Sequence, residues 1–226
     1  MEDFTGFNRQ DFTFFIDMPA DYKRVIKQKM ATFGDRVYAL LPPQVQHSFK
    51  RNETTAIKEE VPRSLYSIGK AYSDRTNFQL CGLAITINLV RLSFSAVIRG
   101  GSFMDSKPIG FLYNKIANGP DKFMDLLASF GSDYFLHVFK RVPAKGDKIR
   151  PNLEKWETIS TFNLGMVNFE MIEYLLAVLE QDKLPGVQLS YGIHAGNEIL
   201  TDVDRLTGKA VKCISREYQL LDYLED

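Results

Sequence analysis

The stretch NFQLCGLAITINLVRLSFSAVIRGG, residues 77–101, is the most apolar part of the chain and decides how the rest folds. It carries no charged side chain between Arg75 and Arg91, and it is rich in Ile, Val, Leu and Phe, which is typical of buried β-strands. The run is too long for one ordinary strand. We therefore expect a hairpin that turns near Thr86 to Asn88, where Asn88 is the best turn former.

The second strand of this hairpin alternates regularly between apolar and polar side chains. Its apolar positions are Leu92, Phe94, Ala96 and Ile98, and its polar positions are Arg91, Ser93, Ser95 and Arg99. This alternation predicts a half-buried antiparallel strand. Its polar face is expected to meet either solvent or a ligand.

Amphipathic helices and further strands are predicted around the hairpin. Apolar residues recur at helical spacing in residues 21–41, 107–118, 121–130, from 163 or 168 to 181, and in 211–224, and strands are predicted at 134–142 and 187–193. Residues 44–63 are polar and lack an apolar period, which favours an exposed loop. Together these elements predict an α+β fold with a central, largely antiparallel sheet and flanking amphipathic helices. One domain over residues 1–226 is the simplest interpretation, and two pseudo-symmetric halves divided near residues 101–106 are the alternative.

The composition limits the cellular locations and the kinds of binding partner that we expect. The chain has 28 basic and 28 acidic side chains, so no overall field attracts nucleic acid or an anionic membrane. The apolar run is interrupted by Arg91 and is too short for a membrane span of about 20 residues. Cys81 and Cys213 are far apart in the sequence, which favours a reducing compartment. With an acidic, polar N-terminus unlike a signal peptide, we expect a soluble, cytoplasmic protein without membrane contact.

The densest group of basic residues is the strongest candidate for binding chemistry. It consists of Lys140, Arg141, Lys145, Lys148 and Arg150, and His137 precedes it. Cations at the end of a strand and in the following loop are typical of a site for phosphate or for a nucleic-acid backbone. The alternative is a solvated loop whose charges balance acids elsewhere. No phosphate-binding glycine motif or nucleophile motif accompanies the group, and the three histidines lack metal-ligand spacing.

Several short motifs, spread over most of the chain, are similar to those of a known protein family. They are Phe4-Thr5-Gly6-Phe7, Asp11-Phe12 and Phe15, a helix with Arg24 and Ile26, Asn77-Phe78-Gln79 before the hairpin, and Ile199-Leu200 with Gly208 before the last helix. In these motifs the chain resembles the YktB-like family of uncharacterised bacterial proteins. The resemblance implies a compact α+β fold with internal pseudo-symmetry. It implies no particular reaction.

A second resemblance is confined to the C-terminal part. Gly192-Ile193-His194-Ala195-Gly196, followed by Thr207-Gly208-Lys209-Ala210-Val211 and Arg216, is similar to a strand and helix of class III nucleotide cyclases. This resemblance implies two divalent metal ions held by two aspartates. Asp133 is one candidate ligand, and Asp17 is the other only if a large insertion follows it. Val97 occupies the position that resembles the aspartate of the first metal strand, which argues against an active cyclase.

The leading hypothesis is a non-catalytic domain without a cofactor that binds a nucleotide, another phosphate-containing ligand or a macromolecular partner. One alternative is a nucleotide cyclase-like protein, either degenerate or metal-dependent, that binds or acts on a nucleoside triphosphate. A divalent metal is expected only in that case. The other alternative is an assembly or protein-interaction module that associates with itself or with a protein partner.

Overall fold

A computed structural model describes residues 4–13, 20–51, 56–60, 65–74, 81–99, 107–143, 154–181 and 185–225. The chain divides into two compact units. Unit 1 comprises Met1–Phe78, Gly82–Ala96 and Tyr191–Gln219, and unit 2 comprises Gln79–Cys81, Val97–Ser190 and Leu220–Asp226. The prediction of one domain over residues 1–226, and its alternative subdivision near 101–106, stays a prediction because compactness does not test independent folding.

The helices and strands confirm the α+β class. The α-helices are α1 (Ala20–Leu40), α2 (Pro43–Ser48), α3 (Lys107–Asn118), α4 (Pro120–Phe130), α5 (Phe169–Gln181) and α6 (Val203–Glu225). The strands are β1 (Phe49–Arg51), β2 (Ala56–Glu60), β3 (Leu65–Asp74), β4 (Cys81–Ile87), β5 (Arg91–Arg99), β6 (Tyr134–Pro143), β7 (Glu154–Asn163) and β8 (Pro185–His194). Every strand pair with a described register, β1–β3, β2–β3, β3–β4 and β6–β7, is antiparallel, as predicted.

The strands of unit 1 follow the order β1-β3-β4-β5-β8, and β2 also pairs with β3. The prediction of an exposed loop over residues 44–63 is wrong, since α2, β1 and β2 lie there. β1 and β2 share the edge of β3, with Lys50 opposite Ser73 and Ile57 opposite Ile68. Backbone pairing defines such edge strands, so they need no apolar period, and charged residues on them limit association with other strands.

The predicted hairpin is formed by β4 and β5, which are neighbours in this order. Its turn covers residues 88–90, at the C-terminal end of the predicted window. The Oδ1 atom of Asn88 accepts the backbone N–H of Val90 at 2.9 Å and that of Arg91 at 3.0 Å. The Asn88 N–H in turn donates to the Arg91 carbonyl at 3.0 Å, which closes the turn.

Both faces of β5 are covered along most of its length. The apolar positions Leu92, Phe94, Ala96 and Ile98 are fully buried. The predicted open polar face is a partial error, because Ser93 and Ser95 are buried as well. Arg91, at the beginning of the strand, remains half-buried.

The N-terminal segment docks on α1 through phenylalanine rings. Phe4 and Phe7 lie 5.0 and 5.4 Å from Phe33, measured between ring centroids. Gly6 has a φ of 85°, and a side chain there would meet the backbone of Leu200. The Phe7 N–H donates to the Leu200 carbonyl at 2.7 Å, so backbone contact also fixes this segment.

In unit 2 the neighbouring strands are β8, β6 and β7, and α3, α4 and α5 pack on one another. The helices and β6 lie within a few residues of their predicted bounds. β7 was not predicted, because the β6–β7 register shifts between Val138 and Phe139, and such a bulge breaks the alternation that indicates a strand. Gly131 ends α4 with a φ of 79°, as expected for a glycine cap.

The structure describes both cysteines and the helices that could be tested as membrane spans. Cys81 and Cys213 are both buried, and neither forms a disulfide within the described residues. Within the part of the chain that the structure describes, no helix is long and apolar enough to cross a bilayer.

Candidate functional site

β6 carries the described members of the predicted anion site. His137, Lys140 and Arg141 all belong to this strand, and β7 lies beside it. In the antiparallel register His137 lies opposite Thr161, Lys140 opposite Glu157, and Arg141 opposite Trp156. Because side chains alternate along β6, His137 and Thr161 share one face of the sheet, whereas Lys140 and Glu157 lie on the other.

The imidazole of His137 is held at both ring nitrogens. Its Nδ1 lies 2.9 Å from Thr161 Oγ1, and its Nε2 lies 2.8 Å from Ser190 Oγ. The ring also stacks on Phe135, with 6.4 Å between centroids and 21° between planes. Three strands therefore fix the orientation of this half-buried histidine.

These hydrogen bonds determine which hydrogens the cluster offers to a ligand. In a neutral imidazole one nitrogen donates and the other accepts, so one hydroxyl accepts and the other donates. A hydroxyl that accepts from the ring keeps its own hydrogen for another acceptor. Thr161 is exposed whereas Ser190 is buried, so in the tautomer with the ring proton on Nδ1 the Thr161 hydroxyl accepts from the ring and keeps its hydrogen for an acceptor from solvent.

Lys140 and Arg141 do not form a uniformly positive surface. Glu157 lies directly opposite Lys140, and a cross-strand pair of opposite charges is mutually stabilising. Lys145, Lys148 and Arg150 lie outside the described residues, so their part in the predicted site stays a prediction. Among the described side chains, the candidate site comprises His137 and Thr161, and Lys140 lies on the opposite face of the same strand.

The metal site implied by the cyclase resemblance is described only in part. Asp133 is exposed in the turn before β6, and Asp17 lies outside the described residues. The described ranges hold no group of three or more His, Cys, Asp or Glu side chains arranged to bind a metal ion. Val97 is buried in β5, where an aspartate would be required. The metal and cyclase hypotheses stay predictions.

One buried acid, Glu217 on α6, was not predicted from the sequence. Its side chain is fully buried, and within the described residues neither carboxylate oxygen has a partner at hydrogen-bonding distance. Burial raises the pKa of Glu217 well above 4.5, and the nearby Tyr191 backbone amide opposes that rise. The signal was present in the sequence, since Glu217 falls three and four residues after the apolar positions Ile214 and Cys213.

Comparison with models of known protein families gives no match, and comparison with curated proteins gives no significant relative. The assignment of a function therefore depends on the geometry of the described residues. The YktB-like and cyclase resemblances stay predictions.

Proposed function

We propose that this protein binds a phosphate-containing ligand without transforming it, through the cationic end of β6 and the exposed hydroxyl of Thr161. The observation that carries the proposal is the double hydrogen bond of His137, which orients the Thr161 hydroxyl beside a strand that continues into Lys140 and Arg141. Phosphate oxygens accept hydrogen bonds from hydroxyls and from cationic side chains, which supply most of the attraction.

The same geometry favours binding over proton-transfer catalysis. A general base must reach the substrate proton with a free lone pair. His137 would first have to release Thr161 or Ser190, and Ser190 is 3% exposed, too buried to act as a nucleophile in this conformation. A cytoplasmic location remains part of this proposal.

The test compares charge reversal in the site with charge reversal on another surface of unit 2. The site variant replaces Lys140, Arg141 and Lys148 by Glu, and the control replaces the exposed Lys122 of α4 by Glu. Calorimetric titration with ATP, inorganic phosphate and a short RNA identifies the ligand class. Loss of binding in the site variant, with binding retained in the control, supports the proposal. Unchanged binding in the site variant contradicts it.

A second function, protein association, has a specific observation in its favour. Unit 2 exposes several large apolar side chains on α3, on α5 and on the 3₁₀ turn before α5, namely Phe111, Met166, Phe169 and Tyr174. Exposed apolar groups of this size favour a protein contact where they are contiguous. Sedimentation velocity of the wild type and of Phe111→Glu tests this candidate, and a concentration-independent monomer in both would exclude self-association.

A further inference from the structure

Arg91 is a half-buried cation at the start of β5 and is not one of the residues of the β6 site. Its backbone is fixed by two hydrogen bonds with the Asn88 turn. Its guanidinium has no ion pair and no hydrogen bond within the described ranges of the chain. A guanidinium has five N–H donors, and partial burial without an acceptor is unfavourable. The environment of the Arg91 guanidinium therefore favours binding of an anionic acceptor.

Gly192 on β8 makes room for the side chain of Arg91. A Cβ atom at Gly192 would lie 2.9 Å from Arg91 Cδ and 3.6 Å from both Nε and Nη1. The arginine chain therefore lies closely over the glycine backbone. Any larger residue would displace it, so Gly192 defines where the guanidinium is held.

His194 lies on the strand next to Arg91. The Ala195 N–H donates to the Val90 carbonyl at 2.8 Å, and four residues further along β5 the ring of Phe94 stacks on Tyr191. From the first contact to the second the residue number rises on β5 and falls on β8. The two strands therefore run antiparallel here. This register places His194 opposite Arg91.

The orientation of His194 determines the hydrogen that it presents. The Gly196 N–H donates to His194 Nδ1 at 3.3 Å, so in the neutral ring the proton resides on Nε2. The side chain is exposed, and Nε2–H is therefore a donor directed away from its own turn. An anion between Arg91 and His194 would accept hydrogen bonds from both.

We propose that Arg91, His194 and the space above Gly192 form a second binding site, specific for a small tetrahedral oxyanion of the phosphate class. The planar guanidinium donates two parallel hydrogen bonds to two oxygens of one phosphoryl group, and the imidazole donates to a third. The site belongs to unit 1 and shares no residue with the β6 site, so it does not depend on the function proposed above.

The experiment follows the arginine Nε–Hε signals and the glycine amides by NMR while inorganic phosphate is added to the whole chain. We expect saturable shifts at Arg91, Gly192 and Gly196. Arg91→Gln should weaken phosphate binding about tenfold, since a hydrogen-bonded charge pair is lost. Gly192→Ala should weaken binding by displacing Arg91 without removing any charge. The control is Arg205→Gln, since Arg205 is exposed in the same unit and already lies near Asp202.

Several outcomes would overturn the proposal. Phosphate binding weaker than about 10 mM in the wild type, or equal loss in Arg91→Gln and Arg205→Gln, would exclude a built site. If Arg91→Gln unfolds, Gly192→Ala decides, and unchanged affinity in that variant counts against the site. Loss of the Arg91 shifts on charge reversal of Lys140, Arg141 and Lys148 would contradict a separate site.

Discussion

Lys29 Nζ lies 2.8 Å from Asp11 Oδ2, and this ion pair joins α1 to the 3₁₀ turn at Arg9–Phe12. Asp11 is only 2% exposed, and the same oxygen accepts the backbone N–H of Asn8 at 2.8 Å. A carboxylate removed from water in this way depends on its cation. The pair therefore helps to hold the N-terminal phenylalanines against α1.

Lys29→Met should lower the free energy of unfolding by about 3 kcal/mol, because it leaves a buried charge uncompensated. Urea denaturation measures the change, and Lys27→Met on the same helix is the control. The double variant Asp11→Asn, Lys29→Met should recover part of the loss, since both charges are then absent. Equal effects of the two single lysine variants would show that the ion pair contributes nothing.

Gly186 on β8 is in close contact with another strand. A Cβ atom there would overlap the ring of Phe139, which is itself buried. Gly186→Ala should therefore cost about 1–3 kcal/mol of unfolding free energy through overpacking.

The control for this prediction is another glycine of unit 2. Gly110, inside α3, has no atom within 4 Å of the position that a Cβ would take. Gly110→Ala should raise the unfolding free energy by about 1 kcal/mol, because alanine favours helix. Thermal unfolding of both variants checks the signs, and a stabilised Gly186→Ala protein would contradict the described contact with Phe139.

The hairpin turn depends on one side-chain acceptor. Asn88→Ala removes both hydrogen bonds to the Val90 and Arg91 amides and should cost about 1–2 kcal/mol. Asn88→Asp keeps the acceptor oxygen and should retain most of the stability. The midpoint of chemical denaturation distinguishes them, and equal midpoints for the two variants would mean that the backbone alone holds the turn.

The elements that could be predicted from the sequence are those whose apolar residues follow one regular pattern. The β4–β5 hairpin followed from an uninterrupted apolar run that ends in the only good turn former, and α1 followed from apolar residues such as Ile26, Met30 and Phe33. β2 and β7 could not be found in that way. Each pairs with a strand that is its neighbour in sequence, but β2 has no apolar period of its own, and in β7 a bulge changes the face of successive side chains.

The candidate site was predictable in composition but not in geometry. The cationic group and the half-buried state of His137 follow from local sequence and alternation. Its partners Thr161 and Ser190 come from two other strands, and the register that aligns them is a tertiary property. The Arg91 site has the same origin, because the space for its side chain is a glycine about one hundred residues away in sequence.

Glu217 gives the chain a pH dependence that ordinary carboxylates do not give. Because burial raises the pKa of Glu217 well above 4.5, the folded protein binds its proton more tightly than the unfolded chain does. The stabilisation is fully present below pH 4.5 and is lost as the pH rises toward the folded pKa. Within this window each pH unit costs about 1.4 kcal/mol.

Glu217→Gln should remove this dependence, since the amide is neutral at every pH and similar in size. The expected result is a difference in unfolding free energy between variant and wild type that grows in favour of the variant from pH 4.5 toward neutrality. Urea denaturation at several pH values measures it, with the exposed Glu173→Gln as the control that keeps the wild-type profile. Parallel pH profiles for the wild type and Glu217→Gln would mean that the carboxyl titrates as an exposed acid does, and the buried, unpartnered environment of Glu217 would then be incorrect.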